Sequence, residues 1–128
     1  MSQVPITTTN TGLPSNLAGA LAYLLGPLTG LIFLVIEKED RFVRFHAAQS
    51  IVVGLFVIAA SLALTLVTAV LGVIPILGWI IGLFLSLGFA FLVFVGWVLL
   101  MFRAYQGQEW EVPVASAYAR KLLAVPIA

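Results

Sequence analysis

LAGALAYLLGPLTGLIFLVI, residues 17–36, runs for 20 positions without an Asp, Glu, Lys, Arg or His. A helix needs about 20 such residues to cross a hydrocarbon core of roughly 30 Å, so the reading of this stretch sets the number of crossings. Residues 47–71 and 79–102 are two further stretches of sufficient length. Taken as three crossings, the chain is an all-α integral membrane protein, a three-helix bundle. Pro27 sits in the middle of the first stretch, where it removes one backbone hydrogen bond and pushes against the Tyr23 carbonyl. A kinked first helix is therefore expected, with Thr29 as a candidate donor to the freed carbonyl.

Composition points the same way. Hydrophobic residues make up 62% of the 128 and charged residues only 9%, against about 25% charged in a soluble domain. Five acids and six bases cannot cover a water-facing surface of this size. A net charge of +1 supplies no basic stripe, which excludes nucleic acid as a partner. The absence of cysteine excludes disulfides and thiolate metal sites.

The bases set an orientation. Lys38, Arg41 and Arg44 lie between the first two stretches, and Arg103, Arg120 and Lys121 follow the third. Three crossings bring all six to one face, whereas two or four are expected to divide them. By the positive-inside rule that face is cytoplasmic, in the cell inner (plasma) membrane, with a multi-pass chain whose N-terminus is outside and whose C-terminus is cytoplasmic. Residues 1–16, rich in Thr, Ser, Asn and Pro, read as a flexible polar tail outside, and residues 17–126 as one membrane domain. Gly72 to Gly78 reads as a tight helical hairpin connection, with Trp79 at the outer interface. Residues 115–125 read as a short interfacial helix with Tyr118, Leu122 and Val125 on one side.

Within lipid, burial alone does not hold helices together, so close packing of small residues must contribute. Ala18, Ala22, Gly26 and Gly30 form one such row; Gly54, Ser61, Thr65, Thr68 and Gly72 a second; Gly78, Gly82, Ser86 and Ala90 a third. These rows are expected to pack the bundle, with self-association or contact with other membrane proteins as the alternative use.

No ionisable side chain lies inside the three stretches, which argues against an active transporter. Polar groups gather instead at the inner border. Asp40 is placed to cap the helix that follows it. Arg41, Arg44, His46, Gln49 and Ser50 form the candidate binding cluster, with the two arginines suited to lipid phosphates. No G-x-S-x-G elbow accompanies Ser50, so no catalytic residue is assigned and no enzyme is expected. One histidine with scattered carboxylates falls short of a metal site, and no cofactor is expected.

Four segments resemble a known family: Tyr23-Leu-Leu-Gly-Pro-Leu-Thr-Gly30, Phe42-Val-Arg-Phe-His-Ala-Ala-Gln-Ser-Ile51, Pro75-Ile-Leu-Gly-Trp79 and Ala104-Tyr-Gln-Gly107. They are similar to small uncharacterised prokaryotic multi-spanning membrane proteins distantly related to the Tic-twenty component of the chloroplast inner-envelope import machinery. The resemblance covers residues 17–113, and its most specific part is the Phe-Val-Arg-Phe-His block. It implies no catalytic residues and adds a link to protein translocation. The expected function is thus a non-enzymatic subunit or helper of a larger membrane assembly; the second reading is a lipid or small-molecule binding membrane protein.

Overall fold

The structure, a computed structural model, describes residues 7–124 and contains five helices: α1 (Ser15–Leu21), α2 (Pro27–Ile36), α3 (Arg41–Leu71), α4 (Leu77–Tyr105) and α5 (Ala115–Leu123). Two of them, α3 and α4, are long and apolar enough to cross a membrane. At 1.5 Å per residue they extend about 46 and 43 Å, more than the hydrocarbon core requires.

Their connection is the expected tight hairpin. The Trp79 indole N–H donates to the Gly72 carbonyl at 3.1 Å across it. Ile76 takes a left-handed φ of 65° to turn the chain into α4. Gly78 lies so close to the Leu71 carbonyl that no Cβ fits there, and Gly82 faces Thr68 across the same seam. The small-residue rows thus pack inward near the turn, while Ser86 and Ala90 are exposed.

The first apolar stretch departs from the expected kinked span. It breaks into two short helices joined by a turn over residues 22–26. Gly26 has φ 62° and ψ −129°, a conformation that a side chain disfavours. Pro27 therefore does not kink a continuous helix; it starts α2, where its missing N–H costs nothing.

The two short helices run in opposite directions. Asn16 at the start of α1 donates to the Tyr105 carbonyl at the end of α4. At the tip, Gly26 meets Ser50 and Pro27 packs on Gly54. At the foot of α2, Asn10 donates through its side chain to the Ile36 carbonyl. The stretch thus enters beside the base of α3 and α4 and returns to the same end. Ten residues of α2 rise only about 15 Å, half the thickness of the core. The expected three-helix bundle is corrected to a two-helix hairpin with a short helical pair that turns back on itself and a fifth helix around its base.

Two consequences follow. The six bases still share one end, since α3 begins there and α4 ends there. Two crossings gather them as well as three, provided the first stretch turns back. Residues 7–16 also lie at that end, where they fold into a turn in which Thr7 donates to Asp40 and the Asn10 amide to Glu37. Residues 1–6, 125 and 126 of the expected tail and membrane domain lie outside the described residues.

Helix α5 buries Ala115 and Ala119 against Ala48 and Val52 of α3, with Leu122 packed alongside. Tyr118 is half exposed and meets Phe56 edge-on; Val125 lies outside the described residues.

Candidate functional site

The break in the first stretch interrupts the helical hydrogen bonding, and a buried backbone group left unsatisfied costs several kcal/mol. Side chains bond the turn: the Tyr23 and Gly26 carbonyls, which accept from the Gly26 and Gly30 amides, each gain a second donor, and Thr29 serves two groups that the helices leave over. The Tyr23 carbonyl accepts from the Trp97 indole at 2.7 Å, and the Gly26 carbonyl accepts from the Ser50 hydroxyl at 2.8 Å. Thr29 donates to the Ala22 carbonyl at 3.0 Å and accepts from the Leu25 amide at 3.1 Å. Thr29 is the donor the sequence suggests, though for Ala22 and not Tyr23.

A second set joins α3 to the chain after α4. Gln49 donates to the Tyr23 hydroxyl at 2.8 Å and to the Trp110 carbonyl at 3.0 Å, and its own carbonyl accepts from the Val112 amide at 3.0 Å. Its side-chain amide pairs with residues 110–112 as a neighbouring peptide would. His46 Nε2 lies 2.9 Å from the Gln108 carbonyl, which can only accept, so Nε2 carries the proton. Nδ1 then accepts from the Tyr23 hydroxyl at 2.6 Å. Phe42, Phe45 and Tyr23 surround the imidazole edge-on.

His46, Gln49 and Ser50 are each at most 2% exposed. The structure brings them together as one buried brace whose hydrogen bonds end within the chain. Tyr23, Trp97 and Trp110 complete that brace and were absent from the sequence-predicted cluster. For Tyr23 and Trp97 the sequence signal was an aromatic residue with a polar handle inside an apolar run; Trp110 takes part through its backbone carbonyl, which no side-chain pattern marks.

The two arginines lie elsewhere. Arg44 spans the end of α2, donating from one terminal nitrogen to the Leu34 carbonyl at 2.9 Å and the Glu37 carbonyl at 2.8 Å. Glu37, 1% exposed, accepts from the backbone amides of Asn10, Glu39 and Asp40. Asp40 caps α3 by accepting from the Val43 amide at 3.1 Å, as its position predicted. Arg41 is exposed. Together Arg41 and Arg44 line a cleft of about 410 Å³ with Phe45, Glu109, Arg120 and Leu123. Arg120 is held by Glu111 and stacks over Phe45, 4.7 Å from the ring centre. No cluster of metal-ligating side chains occurs among the described residues.

A second concavity, an apolar groove of about 390 Å³, runs between α3 and α4. Val53 and Val57 form one wall, Phe89, Val93 and Trp97 the other, and Gly96 lies between them.

Comparison with known proteins gives consistent matches. Two UPF0132 membrane proteins of Methanocaldococcus jannaschii are each 37% identical over 88% of this chain, covering 92% and 75% of their own lengths. A UPF0132 membrane protein of Archaeoglobus fulgidus is 36% identical over 85% of this chain and 95% of its own. The Magnetosome protein MmsF of Paramagnetospirillum magneticum is 30% identical over 87% and 91%. No solved structure matches. The family model described as magnetosome magnetite crystal formation protein family matches residues 8–119, from the N-terminal turn through α5, and the chain belongs to that family of membrane proteins.

Proposed function

We propose that the chain is a non-enzymatic subunit or helper of a larger membrane assembly, set in the plasma membrane with its charged base toward the cytoplasm. The groove at Gly96 carries this reading. Glycine in a helix interior facing lipid forfeits both propensity and packing. Its use is explained when another helix approaches closely, as small residues allow between helices in membranes. A Cβ on Gly96 would meet nothing within 4 Å of this chain, so the space is free for an apolar helix of a partner or of a second copy. The polar side chains of the buried brace support the same reading, because their hydrogen bonds are spent on folding.

The gathering of six bases at one end supports the cytoplasmic orientation. The family's description and a relative named as a magnetosome protein support a place in a membrane assembly; archaeal relatives named only as membrane proteins support a module used in more than one host setting. The resemblance to the Tic-twenty component extends the reading to protein translocation.

Gly96→Leu tests it. The variant is expected to fold and extract as the wild type does, yet to lose the companions retained by the wild type after gentle detergent extraction. Identification of those companions by mass spectrometry also decides the translocation link. An unchanged set of companions would contradict the reading.

A further inference from the structure

The cleft at the base of α3 is lined by three arginines and one glutamate: Arg41, Arg44 and Arg120 with Glu109. Two of the three arginines are already fixed. Arg44 is pinned by the Leu34 and Glu37 carbonyls, and Arg120 by Glu111 and the face of Phe45. The third, Arg41, has no hydrogen bond or ion pair among the described residues. Fixed guanidinium groups lose little conformational freedom on binding, and their planar forks match the oxygens of a phosphate. One wall of the cleft is apolar, formed by Phe45 and Leu123. The opening lies at the end of α3 and α5, beside α2, whose outer residues Leu28, Leu31, Ile32 and Val35 are exposed. Those side chains put the surface of α2 in lipid, so the cleft opens at the level of headgroups.

We propose that this cleft is an anion site that takes a phosphate group, with Arg41 as the residue that closes on it. The site is independent of the Gly96 groove, and its failure would leave the assembly reading standing. Anionic lipid headgroups and soluble phosphate offer the same chemistry, and the test separates them.

The full chain is reconstituted in vesicles of equimolar phosphatidylglycerol and phosphatidylcholine, extracted gently, and its retained lipid measured by native mass spectrometry with and without millimolar inorganic phosphate. Arg41→Gln is compared with Lys121→Gln, since the Lys121 ammonium lies over the Tyr118 ring, outside the lining of the cleft. The wild type is expected to retain phosphatidylglycerol over phosphatidylcholine. Arg41→Gln is expected to reduce that preference about fivefold, the effect of one well-placed base at a membrane surface, with Lys121→Gln nearly unchanged. Preference that inorganic phosphate leaves intact assigns the lipid; bound inorganic phosphate that Arg41→Gln removes, without lipid preference, assigns the soluble ion. Equal losses in the two variants would reduce the effect to general surface charge and overturn the site. So would a wild type that retains neither.

Discussion

Gln49→Met is expected to destabilise the protein by about 3 kcal/mol or more, because it strands the Trp110 carbonyl and the Val112 amide, at roughly 1–3 kcal/mol for each buried group left unsatisfied. Methionine keeps the length of the side chain and fills the space, so the loss reports on hydrogen bonds and not on a cavity. Gln49 is fully buried, and Trp110 and Val112, whose backbone groups it bonds, are partly buried. The Tyr23 hydroxyl also loses a donor, which loosens its hold on His46 and with it the turn over residues 22–26. Unfolding in detergent, followed by circular dichroism against denaturant, measures the change. Ser61→Ala is the control. The Ser61 hydroxyl bonds only the Val57 carbonyl one turn back in its own helix, so its removal is expected to change stability little. Equal costs for the two variants would show that the buried brace does not hold the base together.

Gly78→Ala is expected to be at least as damaging. Its Cβ would overlap the carbonyl carbon and oxygen of Leu71, and neither atom belongs to a side chain that can swing away. The hairpin would have to open where the Trp79 indole spans it, at a cost of about 3 kcal/mol, the upper end for overpacking. Gly88→Ala provides the contrast, since a Cβ there meets nothing within 4 Å. A helix gains up to about 1 kcal/mol from that exchange, so Gly88→Ala is expected to be neutral or stabilising in the same unfolding experiment. If both alanines are tolerated alike, the close approach of α3 and α4 at the turn is wrong.

Hydropathy made α3, α4 and their hairpin legible, because charge-free length is a local property and lipid leaves a helix few alternatives. Asp40 was legible as a cap for the same local reason. The fate of residues 17–36 was not, although both residues that decide it were in view. Gly26 permits the turn, and Pro27 fits a helix start as readily as a kink. What chooses between these is the supply of donors for the broken backbone. Thr29 serves the Ala22 carbonyl and the Leu25 amide locally, and Ser50 and Trp97, 24 and 74 positions away, add second bonds to the Gly26 and Tyr23 carbonyls. A helix count from hydropathy has no access to them. The five polar residues at the start of α3 are close together in sequence, but their division in space was hidden. His46, Gln49 and Ser50 turn inward to Tyr23, Gly26 and residues 108–112, while Arg41 opens outward. That division depends on where the chain after α4 returns, and no local pattern encodes it.

The turning back of the first stretch is tested most directly by the sidedness of three positions. The chain has no cysteine, so single cysteines at the exposed positions Thr11, Ile74 and Lys121 can each be labelled alone with a membrane-impermeant maleimide in sealed vesicles of known orientation. Thr11→Cys and Lys121→Cys are predicted to react from the same side, and Ile74→Cys from the other. Reaction of Thr11→Cys together with Ile74→Cys, opposite Lys121→Cys, would mean that residues 17–36 cross the membrane and would contradict the fold described.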